Sequence, residues 1–156
     1  MSGTPHDAED HHRVPDLAGS SYRLWFYRAA LVAMLGGGVI LGIWHHLIGG
    51  RALWLFRNDE PVSSWVIVLA GPLSTLPATL LAGLRRQWGA CWLIAGGLVS
   101  LGVVLADEIM KGEPILQIVS AGFRYSTTIS LPMIILGVGL VWLRRCLDQN
   151  RRESAC

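Results

Sequence analysis

Charge is what this chain has least of. Only 15% of its 156 residues are Asp, Glu, Lys or Arg, where a soluble domain carries about 25%. Four stretches carry none: Ala29 to Leu47, Ser63 to Leu84, Trp88 to Ala106 and Ser126 to Leu143. Each is close to the ~20 residues that cross ~30 Å of hydrocarbon. A soluble core helix would be shorter and would show a polar face, and the run from 63 to 84 shows almost none. The scarcity of charge therefore argues against a soluble domain and predicts an all-α integral membrane protein. Its form is a compact bundle of four transmembrane helices, with spans over about 26–48, 63–84, 88–106 and 126–144.

Other shortages narrow the function. The net charge is only +2, and the basic residues sit where membrane topology alone would place them, so no nucleic-acid partner is expected. The three cysteines, Cys91, Cys146 and Cys156, show no C-x-x-C spacing. They make a poor zinc signature and, at the cytoplasmic ends of helices, are expected to stay reduced. The first apolar run follows a long polar stretch, exceeds an h-region in length and lacks a small-residue cleavage pattern, so it is expected to be a retained helix. There is no G-x-x-x-x-G-K-[ST], no H-E-x-x-H, no G-x-S-x-G and no dinucleotide fingerprint, which leaves little basis for an enzyme.

What charge there is falls unevenly. Arg13, Arg23, Arg28, Arg85, Arg86, Arg144, Arg145, Arg151 and Arg152 flank one side of the expected bundle, against Arg51, Arg57, Lys111 and Arg124 on the other. Cation excess in short flanks marks the inside, so the chain is expected in the cell membrane as a multi-pass protein with both termini cytoplasmic. Residues 1–21, rich in His, Asp, Ser and Gly, are expected to form a disordered cytoplasmic arm, residues 22–147 the transmembrane domain and residues 148–156 a cytoplasmic tail.

Small residues mark the packing faces. Ala70, Ser74, Ala78 and Ala82 recur every four residues, beside a second row of Gly71, Thr75, Thr79 and Gly83. Gly38 and Gly42 form a G-x-x-x-G pair in span one, and span three adds Gly96 and Ser100. In lipid such residues let helix backbones approach closely. Pro72 and Pro77 in span two and Pro132 in span four each remove a backbone hydrogen bond, and Ser74, Thr75, Thr128 and Ser130 stand near enough to satisfy the freed carbonyls. Broken helices line transport paths in some proteins. Bending to pack is the preferred reading here, because no charged residue lies at the expected midplane.

Two adjacent histidines, His45 and His46, close the first apolar run. Trp25 and Trp44 are separated by about 28 Å of helix, so they are expected at opposite interfaces, with both histidines just outside the hydrocarbon. Hydrated interfacial imidazoles need no special chemistry. The two side chains also point about 100° apart, so one metal or haem cannot take both. With His6, His11 and His12 across the bilayer, a bis-histidine haem within one chain is rejected. Asp107 and Glu108 follow the outer end of span three at about the depth of His46. If spans one and three are neighbours, His45, His46, Asp107 and Glu108 form a candidate metal or proton site at the outer rim. The compatible cofactor classes are a divalent metal or a quinone, the latter walled by Trp54 and Phe56. Residues 51–57 and 115–123 are expected to lie flat as short interfacial helices, the second turning Ile115, Ile118, Val119 and Phe123 to lipid or to the bundle.

A weak order of marks recurs. Gly36-Gly37 with Gly42, Glu60-Pro61, Leu76-Pro77 and Arg85-Arg86 are echoed by Gly96-Gly97 with Gly102, Glu113-Pro114, Leu131-Pro132 and Arg144-Arg145. This pattern is compatible with a two-plus-two hairpin pseudo-repeat. The layout of residues 24 to 145, with two long outer loops and a tight basic inner turn, resembles in outline the DoxX-like membrane proteins, some of which are linked to quinone chemistry; no residue role is carried over from that likeness. The favoured function is a non-catalytic accessory or structural subunit that packs, in the lipid bilayer, against other membrane subunits or as a homo-oligomer. The alternative is a redox-linked or ligand-handling protein with a metal or quinol site at the extracytoplasmic rim. A small-solute or ion transporter ranks third.

Overall fold

The computed structural model describes residues 17–55, 62–84 and 87–153, with backbone alone for 17–20 and 52–55. Its elements are α1 (Leu17–Leu55), α2 (Val62–Ala70), α3 (Pro72–Gly83), α4 (Gln87–Met110), α5 (Ile115–Tyr125), a π turn (Ser126–Ser130) and α6 (Leu131–Glu153). No strand occurs among the described residues. The helices combine into four rods long and apolar enough to cross a membrane: Ser21–Arg51, Val62–Gly83, Gln87–Met110 and Ile115–Glu153. The chain is thus an all-helical, multi-pass membrane bundle.

The rods form a ring. α1 packs on α3 and α6, and α4 packs on α2, α3 and α6, while α1 and α4 share at most a marginal contact and stand diagonally opposed. Close approach at glycine sets the register. A Cβ at Gly42 would lie 2.7 Å from the Leu76 backbone, so α1 crosses α3 there with nothing between the two chains. At Gly96 a Cβ would lie 2.5 Å from the Ala70 carbonyl oxygen, which brings α4 equally close to α2. Leu93, Met133 and Leu140, with Ala78, Ala82 and Ala90, fill the apolar core on the Arg-rich side of centre. Of the small residues, Gly38, Gly42, Gly71, Ser74, Thr75, Ala78, Ala82, Gly96 and Ser100 are buried and Ala70 half-buried, whereas Gly83 is exposed.

Proline and glycine punctuate the rods. Pro72 has no N–H for the Val68 carbonyl, so the second rod breaks at Gly71 and α3 restarts with proline in its first turn. Gly112 adopts φ 72° after α4; its N–H reaches the Ile109 carbonyl at 3.0 Å and that of Glu113 reaches Glu108 at 3.3 Å. This left-handed close is natural to glycine and keeps the turn before α5 short.

Two expectations about boundaries change. The span expected over about 26–48 lies within the apolar stretch Ser21–Arg51, while α1 itself runs from Leu17 to Leu55, because nothing in Gly49 to Leu55 breaks a helix strongly enough. Residues 51–55 are therefore its last turns rather than a separate interfacial helix; residues 56 and 57, and residues 1–16 of the arm, lie outside the described residues. Residues 115–123 belong to a rod instead of lying flat. α5 rests on α4, where Gly122 meets Leu105, and runs through the π turn into α6. Its Ile115, Leu116, Val119 and Phe123 point outward.

Candidate functional site

The register places one histidine deep in the bundle. Gly38 lies over Thr79, Gly42 over Leu76, Gly49 over Pro72 and Leu35 beside Gly83, so α1 and α3 run antiparallel with His45 level with Thr75. From Thr75 to the end of α3 at Gly83 is about 12 Å of helix, and from Val62 to Thr75 roughly 20 Å. His45 therefore occupies the middle third of the bundle, and its side chain is fully buried. The expectation that it stands hydrated at the outer boundary is corrected. α1 runs on past it to Leu55, so Trp44 does not mark the rod's end; it lies on the outside of the bundle at the same level, 60% exposed.

Each ring nitrogen has a partner. Nε2 lies 3.0 Å from the carbonyl oxygen of Thr128 in the π turn. A carbonyl only accepts, so Nε2 carries a proton and donates it. Nδ1 lies 3.0 Å from Thr75 Oγ1, which in the neutral ring donates to it. The Gly71 carbonyl oxygen, 3.2 Å from Thr75 Oγ1, competes with Nδ1 for that single hydrogen.

The Thr128 carbonyl lacks its usual α-helical donor for a local reason. In an α-helix it would accept from the N–H of residue 132, and residue 132 is proline. The hydroxyls near Pro132 do not fill this vacancy. Thr128 Oγ1 turns back to the Arg124 carbonyl at 2.7 Å and Thr127 Oγ1 to Phe123 at 2.9 Å. His45, arriving from another rod, donates to the Thr128 carbonyl. The histidine, the proline and the π turn thus meet at one carbonyl.

More polar groups border it. Tyr125 donates its hydroxyl to the Ile67 carbonyl at 3.3 Å; a Cβ at Gly71 would collide with that hydroxyl and press on Ser100. Thr79 returns to the Thr75 carbonyl at 2.8 Å, and Ser74 to the Ala70 carbonyl at 2.5 Å. Ser130 Oγ is buried with no partner.

The other candidate residues lie elsewhere. His46 is exposed on α1. Asp107 and Glu108 sit at the far end of α4, where Lys111 Nζ is 2.7 Å from Asp107 Oδ2 and 4.0 Å from Glu108 Oε1. Ser63 donates to Asp107 Oδ1 at 3.1 Å. These carboxylates border a notch of about 250 Å³ between α2 and α4, whose lining residues include Ser64 and Val104 but no histidine. α1 and α4 being diagonal, the structure brings Asp107 and Glu108 together with each other and not with His45. Among the described residues no group of three or more His, Cys, Asp or Glu is placed to hold a metal ion. The side chains of Trp54 and Phe56 lie outside the described residues.

Thr128 as the histidine's acceptor and Tyr125 as a half-buried hydroxyl were not anticipated. Half of the first was readable, since a proline four residues after Thr128 announces a carbonyl without its donor. Comparison of the chain with family models, with curated proteins and with solved structures returns no match. The outline likeness to DoxX-like proteins thus adds nothing to the geometry.

Proposed function

We propose that this chain is a non-catalytic subunit of a larger membrane assembly, a closed bundle that works through its outer surface. The observation supporting this reading is how the interior is used. Both ring nitrogens of His45 are bonded within the chain, so the buried imidazole has no nitrogen left for a metal, and the Tyr125 hydroxyl is likewise turned to a neighbouring carbonyl. These groups fasten three rods together and leave the outside as the working face.

The outer face of α1 has the most to offer a partner. Gly36, Ile40, Ile43, Trp44 and Leu47 recur at helical spacing and are exposed, and a side chain added at Gly36 or Gly37 meets nothing within 4 Å. Glycines beside bulky residues form a notch that accepts a side chain from a neighbouring helix. The partner is another membrane subunit or a second copy of the chain, with lipid covering the remaining faces.

The test places a photocrosslinking residue at Ile40 and, for comparison, at Leu98 on the exposed side of α4, in native membranes. The complex is then extracted in mild detergent for native mass and elemental analysis. Protein adducts at Ile40 but not at Leu98, from a complex heavier than one chain and free of stoichiometric metal, are expected. A lone chain carrying a metal or a quinone would overturn the proposal and favour a redox or ligand-handling role instead.

A further inference from the structure

At the Arg-rich end, α1 and α6 border a notch of about 290 Å³ beside the end of α3 and the start of α4. Arg28 of α1 and Arg144 and Arg151 of α6 line it, together with Asp148 and with Gln87 at the start of α4. Arg144, Asp148 and Arg151 are spaced by four and three residues, so one face of α6 presents all of them to the notch. Among the described lining residues, three guanidiniums against one carboxylate leave a net charge of about two in a space the size of a headgroup. The first N–H groups of α4, which have no acceptor within their own helix, start beside it.

The rest of the lining is apolar: Leu31 on α1, Leu147 on α6 and Gly83 on α3. The level is that of a membrane surface. Trp88, next to Gln87, and Trp142, two residues before Arg144, are both exposed, as interfacial indoles are. A notch that is cationic, partly apolar and open at headgroup level fits a phosphate attached to acyl chains better than a soluble anion. Guanidiniums are suited to this, since each can donate two parallel hydrogen bonds to phosphate oxygens.

We propose that the notch between α1, α6 and the start of α4 is a binding site for an anionic phospholipid, with Arg28, Arg144 and Arg151 holding its phosphate and Leu31 and Leu147 lying along its first methylenes. Lipids whose headgroup carries two negative charges match the excess of cations best. Neither the His45 unit nor the packing face of α1 takes part, so this site stands or falls apart from the proposed subunit role.

The experiment is native mass spectrometry of the full chain titrated separately with cardiolipin, phosphatidylglycerol, phosphatidylcholine and inorganic phosphate, repeated on the triple variant R28Q/R144Q/R151Q. Cardiolipin is expected to bind at least about tenfold more tightly than phosphatidylcholine, and the triple variant is expected to lose most of that preference while its unfolding in neutral detergent stays unchanged. Should the triple variant fail to fold, Arg151→Gln and Arg151→Lys replace it, with Lys retaining more of the preference than Gln. Equal affinity for phosphatidylcholine, or a preference that survives the variants, overturns the site. Inorganic phosphate displacing cardiolipin at comparable concentration overturns the lipid assignment in favour of a soluble anion.

Discussion

At the residue scale the structure turns on a carbonyl four residues before a proline, to which a histidine of another rod donates. Pro132 leaves the Thr128 carbonyl without its α-helical partner, and His45 Nε2 occupies the place at 3.0 Å. Replacing His45 with Phe keeps a flat ring, somewhat larger, and abandons both the Thr128 carbonyl and Thr75. The expected loss is about 1–3 kcal/mol in reversible unfolding from mixed micelles. His45→Gln, whose amide can both donate and accept, should recover part of it. The decisive comparison is a double-mutant cycle. In a Pro132→Ala background residue 132 regains an N–H for Thr128, so His45→Phe should cost less there, with a coupling of about 1 kcal/mol. Strictly additive costs would mean that the histidine and the proline are unrelated. Only part of this unit was readable from the sequence. The orphaned carbonyl follows from the four-residue spacing of Thr128 and Pro132, whereas its partner stands 83 residues away, and nothing local to either segment says that they meet.

At the element scale, the existence of the four rods was readable because each is a long run free of charge, and in lipid that requirement is close to absolute. Where each rod ends, and what it stands level with, was not. α1 carries no Asp, Glu, Lys or Arg between Arg28 and Arg51, so hydropathy alone lets the membrane slide along it. The contact of Gly42 with Leu76 removes that freedom and moves His45 from the rim to the interior. This makes the glycines unequal in a way their spacing alone does not show. Gly42→Ala and Gly96→Ala push a Cβ against the backbone of α3 and of α2 and should each destabilise by about 1–3 kcal/mol. Gly36→Ala opens onto empty space and should leave stability unchanged or raise it by up to about 1 kcal/mol. Unfolding in micelles separates the two groups; similar losses at all three positions would contradict the register.

At the scale of the whole molecule, the ring of rods explains why the outer-rim cluster foreseen from sequence is not assembled. That cluster required spans one and three to be neighbours, and in a four-membered ring in which α1 packs on α3 and α6 they face each other across the diagonal. Asp107 and Glu108 are left to Lys111 and Ser63, and the histidine is used to tie the first, second and fourth rods together. Polar chemistry is thereby divided between a closed centre and two notches at the ends. The claim from which the rest follows is that this centre is shut around His45. Nitrogen-15 NMR of the protein in lipid, with the His45 imidazole assigned against the His45→Gln variant, tests it most directly. A neutral ring with its proton on Nε2, unaltered by added divalent metal or quinone, is the predicted result. A proton on Nδ1 with a bare Nε2, or a signal that shifts when metal is supplied, would contradict it.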